Sequence, residues 1–326
     1  MRAMLPKIEL HVHLDCCLSY DVVRALDPSI SKSQYRTEFI APMRCTNLAD
    51  FLTRAPRGFG LMQNERALRL VTADLFRQFA ADNVIYGEIR CAPLLHLAVG
   101  LTPEEVVEIV NDETASQIRD TGIEGRIILC TLRHFTCEQS LQTAHLVDRF
   151  RGTNVVAIDI AGDEAGYPLD PHVPAFEYAR EHQLYRTAHA GEARGPESVW
   201  ETLRLLQPTR IGHGVRSLED PSLVDLLREQ QIHLEVCPSS NLQTNIYPAM
   251  TEHVLDRLYR ADISVGISTD ARTITDITLE QEYQNVREAF GWTDEQFLHC
   301  NLNAVQASFI PDDLKKKLST RLRSGA

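Results

Sequence analysis

The chain has 326 residues and a formal net charge of −12, from 33 lysines and arginines against 45 aspartates and glutamates. So acidic a surface repels a phosphate backbone, which argues against a nucleic-acid partner. No apolar run approaches the ~20 residues of a membrane helix, and the start, "MRAMLPKIELHVHL", lacks the apolar core of a secretory signal. Eight cysteines without a CxxC pair read as reduced thiols of a cytoplasmic protein.

Eight β-rich runs follow one another along the chain. The first, "KIELHVHL" (7–14), precedes a long interval, roughly 15–83, in which "NLADFLTRAPRGFGLM" and "NERALRLVTADLFRQFAADN" read as extra helices. Then come "VIYGEIRCAP" (84–93), "GRIILCTLR" (125–133), "VVAIDIAG" (155–162) and "YRTAHAG" (185–191). The last three are "RIGHGV" (210–215), "HLEVCPSS" (233–240) and "DISVGIST" (262–269). Amphipathic stretches such as "TPEEVVEIVNDETASQIRD" and "DPSLVDLLREQQ" lie between, with Thr, Ser or Asp placed to cap them. The basic "KKKLSTRLR" closes the chain as a solvated last helix.

Strands joined by helical crossovers pair in parallel, and strands apolar on both faces suit a sheet covered by helices. Eight such units predict a single (β/α)8 barrel domain over 1–326, with extra helices after the first strand and more at the C-terminus. A doubly wound open sheet fits less well, because no GxGxxG follows the first strand. Helices inserted after that strand would lie over the C-terminal mouth, where barrels of this kind place their active sites.

The polar residues that end the strands are the candidates for chemistry. His11 and His13, at i and i+2, share one face of the first strand. "HAGE" brings His189 and Glu192, "IGHG" brings His213, and "STDAR" brings Asp270. "AGDE" adds Gly162, Asp163 and Glu164 at the same rim. Singly each is weak: a strand histidine is commonly a satisfied rim residue and a terminal aspartate a helix cap. Together they are costly to bury without a cation. Nitrogen and oxygen donors suit zinc, with iron, manganese and cobalt open. Alternation also turns Asp15 inward if the strand persists that far; Cys16 and Cys17 fall in the turn beyond and are not expected as ligands. Three histidines and a carboxylate leave a position for a water, which zinc activates near neutral pH. Glu192 is placed for general acid/base work, His213 to orient the water, and Asp270 to accept from it through its second oxygen.

In the order "ELHVHLD", "ILCTLRHF", "VVAIDIAGDE", "HAGE", "RIGHGV", "EVCPSSN" and "ISTD", the chain resembles the adenosine deaminase family of metal-dependent barrel hydrolases along nearly its whole length. The resemblance implies one zinc held by His11, His13, His189 and Asp270. It implies that Glu192 passes a proton to the purine N1 as hydroxide adds to C6, that His213 assists, and that ammonia leaves. The partner it implies is a purine nucleoside, met by Asp15 at the ribose, by the Gly162 backbone at N3, and by His13.

Two positions depart from the family pattern. Cys16 and Cys17 stand where members commonly have Gly-Ser. Ala271 stands where they typically carry a second aspartate for the purine N7, a hydrogen bond worth ~1.5–3 kcal/mol. Arg272 is then a candidate to meet the substrate; its blander role is to pair with a carboxylate such as Asp276 or Glu280. The activity expected is zinc-dependent deamination of adenosine, or a close analogue, to inosine and ammonia. The alternatives are a modified adenosine, an adenine nucleotide, or free adenine. A non-deaminating barrel hydrolase and a silent zinc-binding protein rank below these. No lysine ends a barrel strand, which argues against a dinuclear hydrolase built on a carboxylated lysine.

Overall fold

A computed structural model describes residues 4–325. Its strands are β1 (Lys7–His13), β2 (Val84–Cys91), β3 (Glu124–Leu132), β4 (Val155–Ala161), β5 (Tyr185–Ala190), β6 (Arg210–His213), β7 (His233–Val236) and β8 (Val265–Ile267). They pair in parallel in sequence order. The end of β8 returns to β1 at Val12 and Asp270: His13 N–H donates to the Asp270 carbonyl at 2.8 Å, and Asp270 N–H to the His11 carbonyl at 2.9 Å. This is the expected (β/α)8 barrel, with each strand where the sequence placed it and generally ending earlier.

The crossover helices form for local reasons visible in the chain. Thr102 caps the helix Pro103–Thr121 in a reciprocal box with Glu105, and Gly122, with φ 69°, ends it in the left-handed region. Asp220 caps the helix Pro221–Glu229. Close packing decides where strands must be bare. A Cβ on Gly87 of β2 would come within 2.6 Å of Phe79, which projects from the helix Glu65–Ala81. That helix is therefore the ordinary crossover from β1 to β2. The inserted helices are the shorter ones before it, Tyr20–Leu26, Lys32–Glu38, Leu48–Leu52 and Ala55–Phe59. At the other end, the helices Asp294–Ala307 and Asp312–Ser324 bury Ala304, Val305, Leu318 and Leu322 against Ile8, Leu10, Ile85 and Tyr86.

Inside the barrel the packing is ionic. Arg90 Nε donates to Asp159 Oδ2 at 2.8 Å, and its Nη2 pairs with Glu235. Arg210 donates to Glu235 Oε1 at 2.7 Å and to Glu88 Oε2 at 2.5 Å. All five side chains are buried. Such a network is a weak source of net stability, but removing one partner strands the others in low dielectric.

Two buried histidines give the fold an acid-sensitive side. Burial pushes both His233 and His253 down to about 3 from an ordinary 6.5. An unfolded chain takes up these protons first, so their contribution to stability is present above about pH 6.5 and is lost as pH falls from there towards about 3. The urea midpoint is expected to fall between pH 7.5 and pH 5, and less steeply in His233→Gln than in the parent. An equal slope in the two proteins would contradict the assignment to His233.

Candidate active site

The mouth of the barrel gathers side chains from β1, β5, β6 and the residues just past β8. Alternation along β1 directs His11 and His13 inward from one face. Asp159 and Glu235, on β4 and β7, then fix the imidazoles. His11 Nδ1 lies 3.0 Å from Glu235 Oε2, and His189 Nδ1 lies 3.1 Å from Asp159 Oδ2. Ionised carboxylates only accept, so each Nδ1 carries the proton, and in the neutral imidazole each Nε2 presents a lone pair. His11 Nε2 is buried with no hydrogen-bond partner, and His189 Nε2 lies 3.1 Å from His13 Nε2. Asp270 Oδ1 completes the group at 3.4 Å from His11 Nε2 and 3.5 Å from His13 Nε2. Donor atoms of His11, His189, His213 and Asp270 all lie within 4.8 Å of one another. Bare nitrogens and an anionic oxygen facing one point are the donor set of a divalent metal. Cys16 and Cys17 are absent from it, as expected.

Two of these residues sit in left-handed backbone, His213 at φ 63° and Asp270 at φ 64°. Neither is glycine, and such conformations cost about 1–3 kcal/mol each. Both side chains face the mouth, His213 at the end of β6 and Asp270 three residues past β8. The second oxygen of Asp270, Oδ2, accepts from Ser240 Oγ at 2.7 Å, which fixes the carboxylate and leaves that oxygen a further lone pair.

Glu192 sits on a loop clamped by Glu164, whose carboxylate accepts from the backbone N–H of Gly191 at 2.7 Å, Glu192 at 3.0 Å and Arg194 at 2.9 Å. Its own Oε2 lies 3.5 Å from His213 Nε2, and Oε1 is buried without a partner. Burial, reinforced by the charge of Asp270, pushes the Glu192 carboxyl well above the usual carboxylate range. His213 is pushed the other way, chiefly by burial and next by the neighbouring His11.

These groups form one end of a cavity of about 450 Å3. The other end is apolar, lined by Leu48, Phe51, Leu52 and Phe59 of the inserted helices and by Leu95 after β2. Gly162 lines it too, at φ 102°, so no side chain stands between its backbone and a bound molecule. β1 stops at His13, and a tight turn over Leu14–Cys16 takes Asp15 out of the strand alternation. Asp15 still reaches the cavity, held by His96 Nε2 at 2.6 Å and Ala92 N–H at 3.1 Å. Cys16 and Ala271 both line the cavity and share one apolar cluster with Leu48 and Phe51.

Arg272 does not meet the cavity. It is buried in the barrel wall, donating to Glu9 Oε2 at 2.5 Å and to Asp82 Oδ2 at 2.7 Å. The pairing reading was right in kind and wrong in partners: Asp276 and Glu280 are not the acceptors. Held in the wall between those two carboxylates, its guanidinium is not among the groups that line the cavity.

The sequence reading missed Asp159, Glu235, Ser240 and His96. For the first two a signal existed, since each is a charged residue inside an apolar strand, "VAIDIAG" and "HLEVC". An acid buried on a strand needs a partner, and imidazoles at the neighbouring strand ends were candidates.

Comparison with known proteins agrees with this site. Residues 6–324 match the family model described as adenosine deaminase. Adenosine deaminase 1 of Streptomyces coelicolor is 36% identical, with 94% of this chain and 83% of that protein covered. The adenosine deaminase of Clostridium perfringens is 35% identical, covering 96% and 97%. In structure, the chain superposes on an adenine deaminase from Arthrobacter aurescens with a TM-score of 0.90 at 24% identity, covering 98% of each. It also superposes on an N6-methyl-AMP deaminase from Arabidopsis thaliana with a TM-score of 0.86 at 25% identity, covering 99% and 97%. The matched stretch spans the whole barrel and every residue of the site described above, and this chain belongs to the adenosine deaminase family.

Proposed function

We propose that the protein is a zinc-dependent adenosine deaminase, converting adenosine and water to inosine and ammonia. The observation that carries this reading is the convergence of bare ring nitrogens and Asp270 beside a buried, protonatable Glu192. The donor separations, 3.1, 3.4 and 3.5 Å, are short enough for one divalent ion to be held between them, and nitrogen and oxygen donors together suit zinc. His11, His13, His189 and Asp270 would hold the ion. When bound it supplies Lewis acidity that brings the pKa of a water to about 7.

The chain's own residues do the rest. Adenosine lies with C6 at the histidine end of the cavity and its sugar towards Asp15, whose carboxylate accepts from a ribose hydroxyl. Gly162 offers its backbone to the purine edge. Glu192, raised into a protonatable range by burial, gives its proton to N1 and regains one from the attacking water. His213 donates to the oxygen that adds to C6, and Asp270, fixed by Ser240, stays anionic beside it. With the amino group departing as ammonia, the sum is hydrolysis.

A nucleotide is the main competing substrate, and the cavity lining speaks against it. Among the described residues, no lysine or arginine lines the cavity, whereas Asp15, Asp163, Glu192 and Asp270 do. A phosphate placed there meets acids and leucines with no cation. The zinc-loaded protein is expected to release ammonia from adenosine with kcat/KM at least roughly a hundredfold above that for AMP, an amount set by about 3 kcal/mol of unpaired charge. Equal rates on AMP would overturn the nucleoside assignment. Chelation is expected to abolish release, and added zinc to restore it. We further propose that residues 1–326 act as one catalytic domain in the cytoplasm; the eight free cysteines support this. Among the described residues, no helix is long and apolar enough to cross a membrane.

A further inference from the structure

The tautomer of His213 is set from outside the site by a chain of three hydrogen bonds. Its far end is a backbone amide, the one donor whose role is never in question. Leu255 N–H lies 3.1 Å from His253 Nδ1, so that nitrogen accepts. Burial holds His253 neutral, down to about 3, and a neutral imidazole that accepts at Nδ1 carries its proton at Nε2. His253 Nε2 therefore donates to Asn241 Oδ1, 3.2 Å away. That orients the amide, turning Asn241 Nδ2 to donate to His213 Nδ1 at 3.1 Å. All three side chains are buried, so no water is at hand to substitute for a missing link.

We propose that His253 and Asn241 are positioning residues that lock His213 with its proton on Nε2, the nitrogen 3.5 Å from Glu192 Oε2. A nitrogen that carries a proton has no lone pair for a metal. His213 then stands outside the ligand set despite its place in the cluster, and His13 fills that place. It also acts as a fixed donor to the incoming oxygen and never as a base towards it. The kinetic consequence rests on the deaminase reading; the tautomer itself does not.

The test is made on the zinc-loaded protein with 15N-labelled histidine. Long-range 15N–1H correlations distinguish a protonated from a bare ring nitrogen, and the His213 signals are those lost in His213→Gln. A protonated Nε2 with a bare Nδ1 is expected; a protonated Nδ1 overturns the proposal whatever the protein turns out to catalyse. His253→Leu strands Asn241 Oδ1 and frees the amide to flip. It is expected to shift the His213 proton to Nδ1 and to lower kcat for adenosine by roughly a hundredfold, the scale of one lost donor to a developing anion. KM and bound zinc should stay unchanged. His253→Gln keeps an N–H for Asn241 and should hold kcat within a few fold. Unchanged kcat in His253→Leu, or the same loss in both variants, refutes the locking role. If His253→Leu does not fold, the parent spectrum and His253→Gln still decide. Absence of deamination in the parent, with the expected spectrum, would sink the activity and leave the tautomer standing.

Discussion

Glu192→Gln is expected to keep its metal and lose its reaction. Gln has the same shape and leaves the clamp by Glu164 intact, because that clamp acts on backbone amides and not on the side chain. What it removes is the exchangeable proton. Positioned general acid/base groups contribute about 10²–10⁴-fold, so kcat on adenosine should drop by roughly a thousandfold while elemental analysis still finds one zinc per chain. Retained turnover would remove Glu192 from the mechanism. Loss of the metal would mean instead that the carboxylate is a ligand.

The second large effect is expected at Arg90, which does not line the cavity. This one guanidinium pairs with both Asp159 and Glu235, and these two acids hold His189 and His11. In Arg90→Leu the buried Asp159 loses its guanidinium and Glu235 keeps only that of Arg210, at a cost of about 3–5 kcal/mol. Losing the orientation of two ligands is expected to weaken metal binding by roughly 10–100-fold. Urea unfolding measures the first and chelator competition the second. A variant that lost stability but bound metal as tightly as the parent would show that the carboxylates orient the imidazoles unaided.

The barrel was legible in the sequence because its repeating unit is local: short apolar runs ended by polar residues, with capped amphipathic helices between. The extent of the inserted helices was less so. A lid helix and a crossover helix share the same amphipathic pattern, and only the contact of Phe79 with Gly87 separates them. At the site, His11, His13, His189, His213, Glu192 and Asp270 were found because strand ends converge in a barrel. Asp15 reached the cavity through a turn that alternation did not foresee. Arg272 was misjudged because Glu9 and Asp82, which claim it, lie far away in the chain and share no motif with it. The hydrogen bonds of His253, Asn241 and Ser240 are of the same kind: each depends on packing between separate elements, which no local pattern encodes.

The seam at Val12 and Asp270 has a consequence for how the molecule comes into being. Two candidate ligands come from the first strand and one from beyond the last; the His11 backbone meets Ser268 across 257 residues of chain. Contacts of that separation are the slowest to form, since the whole intervening chain must be ordered before they hold. The candidate site is therefore assembled only once the last strand has closed on the first. A nascent chain still short of its last strand lacks the Asp270 end of the candidate site, and a chain in which that site is complete has already joined its first strand to its last.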